Sequence, residues 1–456
     1  MKKLVVMAAL VLMALSGMAQ KQIYIPEDLR DMDLNDTASQ WCWQRSAQTE
    51  NLIFFWEKGF GDDLQNPPSL DGHPMHFDLQ NLKDRVEEFY VFYRDSLEWL
   101  RSQKRLSPQP LPMREASDYS QGVQGIQEER LSTPLPHREG LGGESSSKAS
   151  RYKMMVMVMY SLDGTAYGGT YDDFIGALWV APNRIQDRKL NCLAHELGHS
   201  FQLQIPADSV GEAWGGSGFY EMTSQWMLWQ VNPDWVKDEQ YHFDAFKTLT
   251  HKAYLSMENI YHSPYVIQWW SDLRGRTSIG ELYREGRRGE DPVVTYKRLY
   301  GLSQQQFCDE MLRGYQHLVN FDFSHAQQET RPYACTFTCR LDTLKGGWMR
   351  PKDLPEEYGF NAIPLPVGRK TRVEVVGEHV RYGFVGVTTD GESVYGQLNT
   401  PVFKAPRGKQ LQSLYLVVMG APEEHQQLYS NPADGRPMRH GARRPAQFPY
   451  VFRVLK

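Results

Sequence analysis

The chain is 456 residues long, carries 50 Lys and Arg against 55 Asp and Glu for a formal net charge of -5, and is 41% hydrophobic. That length holds roughly two or three folding units, and 12 Trp with 24 Tyr exclude a chain too polar to order itself. The slight acidic excess removes the attraction on which a nucleic-acid partner depends.

The chain opens with Lys2 and Lys3, an apolar run over 4–15, and the small residues Ser16, Gly17 and Ala19. This is the pattern of a secretory signal peptide over 1–19, cut after Ala19, and it predicts a secreted or periplasmic protein. The run is too short for a bilayer core of about 30 Å, and no later run is long and apolar enough to cross one. The remaining cysteines are Cys42, Cys192, Cys308, Cys335 and Cys339, an odd number that forbids full internal pairing. On a strand, Cys335 and Cys339 would stand about 13 Å apart, too far for a bridge, so they read as packed thiols.

Leu52, Ile53, Phe54, Phe55 and Trp56 predict a buried strand. A helix follows from Asp78, because Leu79, Leu82, Val86, Phe89, Tyr93, Leu97 and Leu100 recur at steps of three and four. Residues 104–150, rich in Pro, Gly and Ser, read as a disordered insertion. A strand buried on both faces is expected at 154–160, a glycine-rich turn at Gly168 and Gly169, and a second strand at 176–180. Helical patterning then runs from 188 to about 320. Beyond 331 the period becomes two, with Val373 and Val375 alternating with Arg372 and Glu374, and further strands at 382–387, 414–418 and 450–454. The expected fold is α+β: a catalytic domain built from 20–103 and 151–330, followed by a β-sandwich-like domain over 331–456.

The stretch His195-Glu196-Leu197-Gly198-His199 holds the spacing His-Glu-x-x-His. On a helix, Leu190, Leu193, Leu197 and Phe201 form the buried stripe, and both imidazoles lie roughly 200° around from it. Four residues rise about 6 Å, so two ring nitrogens can converge on one Zn²⁺ while Glu196 flanks its water. A hydrolytic zinc site needs a third protein ligand. Glu221 is placed for this, since Phe219, Met222, Trp226 and Trp229 predict a helix that turns Glu221 away from its own apolar face. Glu212, in a loop before Gly215 and Gly216, is the rival.

These residues, with Glu221-Met222-Thr223-Ser224 following the second histidine, resemble the gluzincin clan of zinc metallopeptidases. In that clan the helical Glu is followed by Ser or Thr and then Asp; here Ser224 matches and Gln225 replaces the Asp, so His195 is expected to orient on another acceptor. More widely, the chain is similar to a family of exported bacterial proteins of unknown function that carry this motif. That likeness rests on Ile53-Phe54-Phe55-Trp56, the helical run with Trp269 and Trp270, Tyr358-Gly359-Phe360-Asn361, Arg381-Tyr382-Gly383-Phe384, the 417–422 stretch and Phe448-Pro449-Tyr450.

The resemblance implies a zinc metallopeptidase acting on a peptide or protein, glycoproteins included, with Glu196 as general base. Tyr261 and His262 are the candidates to stabilise the transition state, with His242 and His251 as rivals. Strand 176–180 is expected either to offer an exposed edge to substrate or to be wholly internal. The rival reading is an exported glycan- or protein-binding protein with a structural zinc, in which Trp179, Trp214, Trp226, Trp229, Trp269 and Trp270 stack on sugars.

Overall fold

The computed structural model describes residues 20–100, 147–439 and 441–455. The expected signal peptide and nearly all of the expected insertion lie outside the described residues. At the end of that insertion Ser147 already caps a short helix, Lys148–Arg151.

The architecture is mixed α+β. A five-stranded sheet has the spatial order β1 (Ser46–Gln48), β2 (Leu52–Trp56), β3 (Met154–Val158), β5 (Ile175–Val180), β4 (Ala166–Tyr171). Its centre, β2, β3 and β5, is parallel, and β1 and β4 are antiparallel edges. Every residue of β2 and β3 is buried, as a parallel sheet covered on both faces requires. Helix α1 (Leu79–Val91) begins where Asp78 accepts the Asn81 N–H, and a π-helical turn carries its apolar stripe on through Tyr93.

The strand expected at 176–180 is internal, paired with both β3 and β4. The edge beside it is β4, whose Gly168 and Gly169 the sequence reads as a glycine-rich turn. A Cβ on Gly168 would fall 1.8 Å from the Glu196 carbonyl oxygen. Glycine stands there so that an edge strand can lie directly against a helix, not to reverse the chain.

Helices α2 (Asn191–Ala207), α3 (Gly218–Val231), α4 (Gln240–Leu249), α5 (Tyr265–Arg274), α6 (Ser278–Glu285), α7 (Pro292–Tyr300) and α8 (Gln304–Val319) follow. The sheet holds α2: Ser200 Oγ donates to the Ala177 carbonyl at 2.7 Å, and Gln204 Oε1 accepts the Gly176 N–H at 2.9 Å. The α2 and α3 backbones meet at Gly198, where a Cβ would stand 2.5 Å from Ser224 Oγ, and Ser224 Oγ donates to the His195 carbonyl. Trp226 Nε1 and Gln230 Nε2 of α3 donate to Gln268 Oε1 of α5, and Trp269 Nε1 of α5 donates to the Glu310 carbonyl of α8. Trp214, Trp226, Trp229, Trp269 and Trp270 are all buried. Of the six tryptophans considered for sugar stacking, this leaves Trp179 alone with an accessible face.

The last part of the chain forms two antiparallel sheets. One has the order β11 (Ser393–Tyr395), β10 (Val380–Thr388), β13 (Leu411–Gly420), β8 (Phe360–Pro364). The other has the order β12 (Val402–Lys404), β9 (Lys370–Gly377), β14 (Tyr450–Leu455), β7 (Met349–Pro351), β6 (Leu341–Thr343). The centre of the first sheet is buried on both faces. Phe384, Leu416 and Val418 join Val373, Phe403 and Phe452 in a separate core between the sheets. The alternate residues Val385, Val417 and Met419 belong to the main core with the helices, and Gln316 of α8 donates to the Phe384 carbonyl at 2.6 Å. All five cysteines are free. Among the described residues no helix is long and apolar enough to cross a membrane.

Candidate metal centre

Helix α2 is buried nearly all round: Ser200 and Gln204 meet the sheet, Phe201 packs on Tyr90 and Tyr93, and Gly198 and Gln202 meet α3. His195 and His199 are therefore 8% and 5% exposed, not surface groups. Their rings stand perpendicular with centroids 4.6 Å apart, and the two Nε2 atoms are 3.0 Å apart. Glu221, in the first turn of α3, puts Oε2 3.1 Å from each of them. Among the described residues this is the one group of three His, Cys, Asp or Glu side chains whose ligand atoms converge.

The hydrogen bonds behind the rings decide what these atoms are. Gln225 Nε2 donates to the Tyr261 carbonyl at 2.9 Å, so its Oε1 is the atom 2.9 Å from His195 Nδ1. Gln202 Nε2 likewise donates to the Tyr220 carbonyl, placing its Oε1 2.9 Å from His199 Nδ1. An amide oxygen only accepts, so both Nδ1 atoms carry the proton and both Nε2 atoms present lone pairs. Two lone pairs and a carboxylate oxygen packed this closely repel one another unless a cation lies between them. Tetrahedral zinc at 2.0–2.1 Å from each ligand would space them by roughly 3.3 Å, close to what is observed. The donor set fits Zn²⁺. Gln225 itself supplies the acceptor that the sequence left unassigned for His195.

The pKa of Glu196 is raised: burial outweighs the stabilisation from His195 and from the Gly168 N–H, which donates to Glu196 Oε2 at 2.8 Å. Tyr261 is pushed up to about 12 by burial and by the Glu221 and Glu196 carboxylates, with a hydrogen bond to Glu221 adding to it. Its hydroxyl therefore keeps its proton. Tyr220 stacks on His199 at 4.2 Å. A cleft of about 400 Å³ opens over the group, lined further by Tyr167, Arg184, Cys192, Glu239, Tyr241 and His242.

Residues 16–110 and 141–455 match a family described as "Family of unknown function (DUF6055)". The chain belongs to the DUF6055 family. No curated protein matches it. The interruption in the DUF6055 match falls inside the 104–150 stretch. In this DUF6055 chain His195, Glu196, His199, Glu221 and Tyr261 share one cleft. His262 does not line it; its Nδ1 lies 2.8 Å from His242 Nδ1, on the far side of that ring. His251 is also elsewhere, giving its carbonyl to the Glu356 N–H. Glu212 accepts from the N–H groups of Ala213 and Trp214 and stays outside the group. Gln202 went unnoticed in the sequence, although its place three residues after His199 puts it on the same helix face.

Proposed function

We propose that the chain is an exported, zinc-dependent metallopeptidase of gluzincin type, with His195, His199 and Glu221 as zinc ligands. The observation that carries this reading is the meeting of two Nε2 lone pairs and one carboxylate oxygen at 3.0–3.1 Å, with their outer faces held by two fixed amides. Zinc bound there supplies Lewis acidity toward a carbonyl and lowers the pKa of water toward 7.

The rest is done by the protein's own groups. Glu196 has one oxygen tied to the Gly168 N–H, which leaves the other to take a proton from water and pass it to the departing amine. Its raised pKa suits both steps. Tyr261, which stays protonated, donates to the carbonyl oxygen as negative charge develops. Strand β4 has one side free, and an extended peptide can pair along it beside Glu196. A gluzincin-like catalytic fold and a sandwich-like pairing of the two C-terminal sheets belong to the same reading, as does export, which rests on the pattern of the first 19 residues.

The test is metal content and hydrolysis of a mixed peptide library by residues 20–456, alongside Glu196→Gln. About one zinc per chain is expected in both, with turnover lower by about 10²- to 10⁴-fold in the variant. Equal turnover would remove Glu196 from the mechanism, and zinc retained after His195→Ala with His199→Ala would place the metal elsewhere. Zinc without turnover in either protein would favour the binding-protein reading.

A further inference from the structure

We infer that Arg184 makes a carboxylate-binding subsite in the metal cleft, so that the peptides taken by the proposed peptidase carry an acidic side chain or a free C-terminus near the scissile bond. The inference rests on the peptidase reading and adds a substrate class to it.

Arg184 is the one lysine or arginine that lines the cleft, against the carboxylates of Glu196, Glu221 and Glu239. Each carboxylate already has partners. Glu221 faces the two histidines and Glu196 the Gly168 N–H. Glu239 accepts from Asn191 Nδ2 and Trp235 Nε1, both at 3.0 Å, and stands 3.3 Å from His242 Nε2. None of them pairs with Arg184, which makes no ion pair among the described residues.

The guanidinium is nevertheless held in place. Arg184 Nε donates to the Gly164 carbonyl at 2.7 Å, in the turn between β3 and β4, where Gly164 has a φ of 74°. That anchor uses the inner nitrogen, and no carboxylate of the described residues takes the terminal pair, whose planar fork matches a carboxylate. Cys192 offers no competing anion, because burial and the nearby Glu196 push its thiol up to about 12. The Tyr241 ring, 62% exposed on the same cleft, gives a flat wall for the aliphatic part of such a residue.

The test measures binding, not turnover, by titrating peptides into the zinc-loaded Glu196→Gln chain with and without Arg184→Gln. One peptide pair differs by Glu against Gln, and a second by a free against an amidated C-terminus, which separates the two sources of the carboxylate. The carboxylate form of at least one pair should bind about tenfold more tightly, and that ratio should fall to near one with Arg184→Gln while Arg184→Lys keeps part of it. A ratio near one in the parent, or one that survives Arg184→Gln, overturns the subsite and leaves the peptidase reading standing. Failure of every peptide to bind, charged or neutral, overturns both.

Discussion

Gln225 stands where the gluzincin pattern has a carboxylate, and this changes the charge balance of the site. Behind His195 lies a neutral amide, so with a divalent ion the group carries a net positive charge that an Asp would have cancelled. The same side chain also holds the Tyr261 carbonyl, so one residue orients a ligand and a candidate proton donor together. Gln225→Ala should weaken zinc binding by about 10- to 100-fold, measured by chelator competition, and should also lower kcat. Gln202→Ala, which touches only the His199 side, should show the affinity loss without a comparable loss in kcat at saturating zinc. At this scale the convergence of His195 and His199 is legible because histidines four apart share a helix face. The amides behind them are not, since a Gln on a helix face looks like any solvated polar residue. Nor does sequence tell Tyr261 from His262: adjacent residues in a loop diverge, and only the fold shows which one enters the cleft.

The proposed metal site depends on the close approach of α2 and α3 at Gly198 and Ser224. Gly198→Ala would put a Cβ 2.5 Å from Ser224 Oγ, separating the helices and drawing Glu221 away from the two histidines. The expected result is weaker zinc binding and a lower Tm in apo and loaded protein alike. Ser224→Ala removes the obstructing oxygen, so the double variant should recover part of the affinity that Gly198→Ala loses, a non-additivity read from a double-mutant cycle. Periodicity makes elements such as α1 readable, because its stripe follows one helical face from Leu82 to Tyr93. It fails at β4. There Gly168 and Gly169 imitate a turn, whereas the physical demand at Gly168 is close contact with the Glu196 carbonyl, a partner 28 residues away.

Across the whole molecule, two histidines far from the cleft tie stability to pH. His317 stacks between Trp269 and Tyr395 with centroids 4.4 and 4.3 Å away, and His325 sits against the Trp229 carbonyl at 2.9 Å. Burial lowers the pKa of both below the ordinary 6.5. Below about pH 6.5 the unfolded chain therefore takes up protons that the folded one refuses, and stability falls as pH drops. The Tm should decline from pH 7 to pH 5, and His317→Phe should make that decline shallower. The two C-terminal sheets were legible from their period of two, but the joining of β10 and β13 to the helical core was not, because alternation alone does not say what covers each face. That joining has a consequence for how the cleft is reached. With Gln316 fastened to β10, Trp269 to α8 and Gln268 to α3, bonded layers run from the outer strands to the ligand helix, and no swivel lies between them. The mouth of the cleft is ringed instead by three exposed tyrosines, Tyr167, Tyr241 and Tyr261, whose side chains can swing without the bonded layers parting.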